Sequence, residues 1–220
     1  MPTLPTLPNM PTNIKPFQKS ITMKKSLLIT LLSCLMLTAH TQQWKELTAA
    51  DAKVAATQVM DAVKKVKTLD RRFEQVKRSP MTTTPTVSKG KMHYESPDVM
   101  LWSYESPYSF SMEIRGDKMT ATRDGEVMKL GSKQQMGLKS MMKMIVGMSS
   151  GNSLFDDRSF DWKMAESADE YKVDMTPKNK NVKRMFSKVV LFFDKKSKDI
   201  KSLELTETDN SVTTITFLSL

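Results

Sequence analysis

The sequence predicts a mainly β fold with helices: an antiparallel half-barrel of about 11 strands that stays unclosed and is covered by a helical lid. Three observations predict this fold. Hydrophobic and polar residues alternate in many short segments after residue 69, which is the period of half-buried strands. Turn-forming residues separate these segments, and two further segments, beginning near residues 49 and 134, show the helical period instead.

The first 41 residues are predicted to lie outside the folded domain. Residues 1–22 hold five of the ten prolines and no acidic residue, and we interpret them as an upstream mis-start or a disordered extension. Met23 then begins a segment with two lysines, an apolar run over 27–37 and a small residue, Ala39, near its end. This order is typical of a secretory signal peptide, predicted here over 23–41. Residues 42–220 are predicted to be a single domain.

Two alternatives stay open for this leader. The apolar run could be retained as an anchor, although about 20 residues are needed to span a bilayer. The residues before Cys34 loosely resemble a lipoprotein cleavage site, which would leave the cysteine lipidated, but the apolar run continues beyond it. Because Cys34 is the only cysteine, an intramolecular disulfide and a cysteine metal cluster are excluded.

The distribution of charge argues against a nucleic-acid partner. The formal net charge of +10 falls to +6 when the four lysines of residues 1–41 leave with the leader. The remaining lysines occur in pairs or alternate with aspartates, without the interleaved aromatic residues on which bases stack. We therefore expect no nucleic-acid binding.

The first predicted element is an amphipathic helix over residues 49–67. Thr48, with Asp51 three residues later, forms an N-cap. Small apolar residues then recur at spacings of three and four. They are Ala52, Ala55, Ala56, Val59, Val63 and Val66. Such a narrow apolar face lets the helix lie close against another surface.

The period changes to two after the helix, and eleven strands are predicted. They span residues 70–78, 88–95, 99–104, 108–115, 118–123, 126–130, 160–165, 170–176, 187–194, 200–208 and 212–218. Four residue pairs between them suit hairpin turns, because they tolerate a positive φ or bond their own backbone. These pairs are Gly116-Asp117, Asp124-Gly125, Ser197-Lys198 and Asp209-Asn210. Short strands in direct succession predict an antiparallel meander.

A second helix is predicted over residues 134–148, which read QQMGLKSMMKMIVGM. Its apolar side is rich in methionine, and Lys139 and Lys143 lie on the polar side. Because it is inserted between two series of hairpins, we expect this helix to sit over the sheet or plug its mouth.

The predicted mature chain carries no recognisable catalytic apparatus. Its only histidine, His93, lies between Met92 and Tyr94 and is expected to face outward from a strand. The acidic pairs fall at turns, where carboxylates are usually solvated, and no strand-to-helix serine motif is present. We expect neither an enzyme nor a cofactor. An envelope hydrolase that uses Asp157, His93 or Glu166 is the remaining catalytic alternative.

The predicted mature chain is rich in methionine. Of the 19 methionines in the sequence, 15 follow residue 41. An unbranched, polarizable side chain suits surfaces that accept ligands of varying shape. Met100, Trp102 and Tyr104 share one face of a predicted strand. A curved sheet with a methionine-rich cover would enclose an apolar cavity.

Residues 90–107 contain, in order, a glycine, an alternating strand, a proline, an apolar-x-Trp-x-Tyr strand and a second proline. These are Gly90, Lys91, Met92, His93, Tyr94, Ser96, Pro97, Met100, Leu101, Trp102, Ser103, Tyr104 and Pro107. The pattern resembles the LolA family of periplasmic lipoprotein carriers. Phe73-Glu74-Gln75-Val76 after the first helix and the closing strands within 186–217 are similar to that family as well. The resemblance covers residues 44–220.

The resemblance implies an unclosed barrel that shelters the acyl chains of a lipoprotein, or other lipids, between the inner and outer membranes. Such a carrier acts in the periplasm as a monomer without a cofactor. It takes cargo from an inner-membrane lipoprotein-releasing transporter and passes it to an outer-membrane acceptor. The alternative on this fold is a lipid-binding sensor or envelope-assembly protein that transfers no lipoprotein.

The resemblance and the strand alternation together assign a lining to the cavity. The strand residues of this lining are Phe73, Met92, Tyr94, Met100, Trp102, Tyr104, Phe110 and Met112, and the lid residues are Met141, Met144, Ile145 and Met148. Strand 99–104 is apolar on both faces, so one face is expected to pack the fold and the other to line the cavity. Proteobacterial carriers have an arginine before the first proline that holds the lid shut; this chain has the shorter, uncharged Ser96.

Overall fold

The fold is built around one antiparallel sheet, seen in a computed structural model that describes residues 43–129, 155–178 and 180–218. The strands are β1 Lys45–Glu46, β2 Thr68–Arg78, β3 Thr86–Glu95, β4 Val99–Ser106, β5 Phe110–Arg115, β6 Lys118–Arg123, β7 Glu126–Val127, β8 Phe160–Glu166, β9 Glu170–Pro177, β10 Phe186–Asp194, β11 Ile200–Glu207 and β12 Val212–Leu218. The helices are α1, Ala49–Lys65, and a single turn, α2, Lys180–Lys183.

The 12 strands form a single sheet with two free ends. Their order is β1-β8-β9-β10-β11-β12-β2-β3-β4-β5-β6-β7. The two halves of the meander meet where β12 pairs with β2, which places Phe217 directly opposite Phe73. The edge strands β1 and β7 have two residues each and do not pair with one another. The predicted unclosed antiparallel sheet is thus confirmed.

Within the described ranges, all eleven predicted strands are present, and one more was missed. That strand, β1, pairs Lys45 with Glu166, and two residues are too few to show an alternating pattern. The turn α2 was also missed. The predicted helix over 134–148 lies outside the described residues.

Helix α1 begins where its N-cap predicts. The Thr48 hydroxyl oxygen accepts a hydrogen bond from the backbone N–H of Asp51 at 3.2 Å, which satisfies one of the free donors of the first turn. The helix ends two residues earlier than predicted, because Val66 is already extended at φ −71° and ψ 116° and leads directly into β2. Among the described residues, no helix is both long enough and apolar enough to cross a bilayer.

The predicted hairpin turns adopt the backbone that their residues favour. Positive φ angles occur in each of the four predicted pairs, at Gly116 (62°), at both Asp124 (50°) and Gly125 (87°), at Lys198 (66°) and at Asn210 (64°). Glycine adopts this region without a steric penalty, and Asp and Asn tolerate it better than most residues.

One face of the sheet, here called the inner face, packs with α1 to form the core. Ala52, Ala55 and Val59 of α1 join buried side chains from β2 to β5 and β8 to β12 in one cluster. On β4, Met100 and Trp102 face this cluster, whereas Leu101 on the opposite face is 37% exposed. The prediction that both faces of residues 99–104 would be used is therefore wrong: one face is buried and the other faces solvent.

Candidate functional site

The strand residues predicted to line a cavity all lie on the inner face. Six are buried: Phe73, Met92, Tyr94, Met100, Trp102 and Met112. Tyr104 and Phe110 are half-buried and pack against the same cluster. The four predicted lid residues, Met141, Met144, Ile145 and Met148, lie outside the described residues. A lipid-binding role for any of the twelve stays a prediction.

Three rings, called here the aromatic cluster, occupy the centre of this face: Phe73, Trp102 and Phe217. Phe73 stacks on Trp102 with ring centroids 4.3 Å apart. Phe217 meets Trp102 edge-on at 6.2 Å. Aromatic pairs in these arrangements contribute about 0.5–1.5 kcal/mol beyond the area they bury.

Gly90 lets the Phe73 ring lie flat over β3. The two residues are direct cross-strand partners. A Cβ at position 90 would lie 2.6 Å from Cζ of Phe73 and 2.0 Å from the carbonyl oxygen of Ser103. Only glycine fits this contact without a shift of the backbone, so the family-like glycine has a packing role here.

Two hollows on the inner face are bordered by described residues of β11 and β12. The first, called the inner hollow, has a volume of about 60 Å³ and lies between the end of α1 and the sheet. It is lined by Ala62, Val63, Val66, Leu69, Met92, Phe193, Lys198, Asp199, Ile200, Leu203 and Phe217. All but two of these residues are apolar, so an alkyl group is the natural occupant.

The second, called the rim hollow, is larger and has a charged mouth. Its volume is about 480 Å³. It is lined by Gln75, Lys77, Trp102, Tyr104, Arg184, Met185, Phe186, Leu205, Glu207, Thr208, Asp209, Thr213 and Ile215. The apolar members are concentrated on the inner face, and the charged members lie at the strand ends and turns.

Electrostatics at the mouth of the rim hollow are arranged around Glu207. Its carboxylate lies 2.6 Å from Nζ of Lys77 and accepts a hydrogen bond from the Thr213 hydroxyl at 3.3 Å. Arg184 is exposed and has no salt bridge within the described part of the chain. The mouth therefore carries a guanidinium that forms no ion pair with any described residue, above an apolar floor.

The hydroxyl of Tyr104 supplies a neutral polar group inside this mouth. It donates to the side-chain oxygen of Gln75 at 2.9 Å. Burial raises the pKa of Tyr104 above its ordinary value of 10.0, so the phenol stays protonated at neutral pH. The Trp102 indole N–H opposes that pKa shift but makes no hydrogen bond of good geometry with any described residue.

A third hollow competes for the role of ligand site. This flank hollow has a volume of about 760 Å³ and lies on the other flank of α1 against β8. Trp162, Met164 and Phe155 supply part of its lining, together with six charged residues. These are Glu46, Lys53, Asp157, Asp161, Lys163 and Asp174. None of the eight predicted lining residues that the structure describes borders it.

The candidate catalytic residues do not converge. His93 is paired with Asp70 at 2.8 Å, and both side chains are exposed. Glu166 forms an ion pair with Lys195 at 2.7 Å, and Asp157 accepts a hydrogen bond from an indole N–H at 2.9 Å. Across the described ranges, no three metal-binding side chains cluster.

Sequence reasoning missed most of the side chains that border the hollows. Of the predicted residues, Met92 borders the inner hollow and Trp102 and Tyr104 border the rim hollow; the other five strand residues border neither. Leu205 and Ile215 were predicted to lie in the closing strands but were not among the predicted lining residues. The alternation of β11 and β12 could have placed both on one face, but not beside a gap.

Several solved structures are similar to this chain at low sequence identity. A LolA superfamily protein from Nitrosomonas europaea is 8% identical, with 74% of this chain and 91% of that chain covered and a TM-score of 0.39. The lipoprotein LppX from Mycobacterium tuberculosis is 10% identical, with 78% and 95% covered and a TM-score of 0.43. These scores carry no argument about function. No curated protein sequence matches the chain.

The family model for the outer membrane lipoprotein carrier protein LolA matches residues 64–220. The match runs from the end of α1 through β12 and includes every strand that borders the two inner-face hollows. The chain therefore belongs to the LolA family.

Proposed function

We propose that this protein is a periplasmic carrier that shelters the acyl chains of lipoproteins and moves them from the inner to the outer membrane. It would take its cargo from an inner-membrane lipoprotein-releasing transporter and pass it to an outer-membrane acceptor. The family description supports the carrier role. The hollows on the inner face support it as well, because an acyl chain could be sheltered there.

The observation that carries the proposal is the rim hollow. Trp102, Leu205 and Ile215 form an apolar floor, and the mouth is polar. Its volume of about 480 Å³ lies within the ~300–1,000 Å³ typical of ligand sites. An apolar cavity of roughly 150 Å³ is enough to bind benzene, so part of an alkyl chain fits without any rearrangement.

Energetics favour such a ligand over a polar one. Each methylene that leaves water for an apolar site contributes about 0.8 kcal/mol. A chain segment of about six methylenes would thus contribute about 5 kcal/mol before ordering costs. A charged head group cannot follow the chain inward without a large desolvation cost, and it would stay near Arg184 at the mouth.

Lipoprotein release from membranes tests the carrier role. The full chain is produced with its own leader, collected from the periplasm, and added to spheroplasts that display a labelled lipoprotein. We expect the soluble fraction to gain labelled lipoprotein in a complex with the protein. Native mass spectrometry of the purified protein should also detect an acylated ligand. Absence of both the release and the ligand would contradict the proposal.

The same assay separates the carrier from the alternative on this fold. A lipid-binding sensor or envelope-assembly protein would yield a lipid in mass spectrometry but would release no lipoprotein. Leu101→Ser provides a control for nonspecific effects, because Leu101 is on the solvent-facing side of β4 and borders neither inner-face hollow. That variant should release lipoprotein as the wild type does.

A further inference from the structure

The inner and rim hollows border successive inner-facing residues of the same two strands, β11 and β12. Leu203 borders the inner hollow, and Leu205, two residues on along the same face of β11, borders the rim hollow. On β12, Phe217 and Ile215 repeat this arrangement. Alternate residues of a strand are about 7 Å apart, and Trp102, which borders the rim hollow, contacts Phe217, which borders the inner hollow.

Within the aromatic cluster, Phe217 is the ring with room to move. Phe73 and Trp102 are each 1% exposed and stack on one another, and Phe73 is also held against Gly90. Phe217 is half-buried and touches Trp102 only edge-on. A rotation of Phe217 would therefore disturb less packing than a rotation of either of the other rings.

We infer that Phe217 sets the length of alkyl chain that the protein accepts. An alkyl chain that enters through the rim hollow ends against Trp102, and the Phe217 ring contacts Trp102 from the side of the inner hollow. Displacement of the Phe217 ring lets the chain continue into the inner hollow. The inference rests on the proposed function, because it concerns the ligand of the same site. It adds a residue that limits specificity and a direction of entry.

The direction in which the alkyl chain enters follows from the charges around each hollow. The rim hollow has four charged lining residues: Lys77, Arg184, Glu207 and Asp209. The inner hollow has two, Lys198 and Asp199, beside nine apolar ones. Because a head group loses less hydration at a charged, open mouth than in an apolar gap, the tail points toward Phe217.

A chain-length series tests the inference. Saturated fatty acids from octanoate to palmitate are titrated by calorimetry into the full chain and into Phe217→Ala. In the wild type, affinity should rise roughly three- to fourfold per methylene until the tail meets the ring, and then stop rising. In Phe217→Ala the rise should continue to longer acids, so that palmitate binds at least about tenfold more tightly than to the wild type.

Two further variants make the test decisive. Phe217→Leu keeps an apolar side chain of intermediate size. The break in the series, which is the chain length at which affinity stops rising, should therefore shift by a smaller step than in Phe217→Ala. This variant also provides the test if the alanine variant does not fold. Phe192→Ala is the matched control, because Phe192 is a half-buried phenylalanine that packs near Trp44 and borders neither hollow. It should leave the break where the wild type has it.

The outcomes separate the inference from the proposed function. An identical break in the wild type and both Phe217 variants would overturn the inference and leave the carrier role standing. A break that moves equally in Phe192→Ala would overturn it too. If no acid of any length binds to any variant, the proposed function fails and the inference fails with it.

Discussion

Two regions of the inner face differ in how completely their side chains fill space. On β3 to β5, a packed wall of Tyr94, Met100, Met112 and Ile114 is at most 2% exposed and borders neither inner-face hollow. On β11 and β12, a hollow floor of Leu203, Leu205, Thr213 and Ile215 is also buried but lies beside both hollows. The long side chains of the packed wall fill the space next to that part of the sheet, whereas the shorter side chains of the hollow floor leave the space next to them unfilled. A buried, large apolar side chain on the inner face therefore does not by itself mark where space remains, because on β4 Met100 borders neither hollow whereas Trp102 borders the rim hollow.

Placing a charge in the packed wall should have the largest effect. Met100→Asp removes a fully buried side chain and places a carboxylate among apolar neighbours, which should lower the free energy of unfolding by at least about 3–5 kcal/mol. That is comparable to the whole stability of a small domain. Urea denaturation followed by far-UV circular dichroism measures it. Leu101→Asp, one residue away on the exposed face, is the matched control and should cost less than about 1 kcal/mol; equal costs would contradict the distinction between the two faces.

Gly90→Ala should have the next largest effect. The new methyl group would meet a backbone carbonyl at 2.0 Å and the Phe73 ring at 2.6 Å, so β3 or β4 must shift. We expect a loss of about 1–3 kcal/mol, measured by thermal or urea denaturation. Gly125→Ala is the control, because no atom of the described residues lies within 4 Å of its Cβ position. Its cost should be limited to the strain of a positive φ, at about 1–2 kcal/mol, and a smaller loss at position 90 than at 125 would contradict this account.

Filling the hollow floor should change ligand binding rather than stability. Leu205→Phe adds volume where the rim hollow is open, so we expect the free energy of unfolding to stay within about 1 kcal/mol of the wild type. Affinity for a long-chain fatty acid should fall at least about tenfold, as measured by calorimetry. A loss of stability with unchanged affinity would show that the site lies elsewhere.

The smallest effect should come from a polar atom inside the packed wall. The hydroxyl of Tyr94 is buried and finds no hydrogen-bond partner among the residues described, and an unpaired buried polar group costs about 1–3 kcal/mol. Tyr94→Phe removes the hydroxyl and keeps the ring, so the free energy of unfolding should stay unchanged or rise by up to about 1 kcal/mol. Tyr104→Phe is the contrasting variant, because its hydroxyl donates to Gln75 and its removal should be destabilising.

Local chemistry made much of this fold predictable. The N-cap at Thr48, the turn residues at Asp124 and Asn210, and the alternation within each strand act over a few residues, and each was predicted correctly. The volume above a strand depends instead on what packs against it from distant parts of the chain. The alternation placed Trp102 on the inner face, but it could not show that Phe73, flat over Gly90, fills the space beside it.

Residues of the hollow floor were harder to predict for the same reason. Leu205 and Ile215 follow an ordinary strand pattern, and nothing in their local sequence separates them from core residues such as Leu191. They border the rim hollow because the connection between β9 and β10, with Arg184 and Met185, lies across the mouth. That arrangement depends on the order of strands in the sheet, which the alternation alone does not give.

The most direct test asks which hollow receives the alkyl chain. Two single-tryptophan versions of the full chain, one keeping Trp102 and the other Trp162, are titrated with a fatty acid brominated near its tail, and tryptophan quenching is measured. Trp102 borders the rim hollow and Trp162 the flank hollow. We predict saturable quenching of Trp102 with little change at Trp162. Quenching of Trp162 alone, or of neither, would contradict binding of an acyl chain on the inner face.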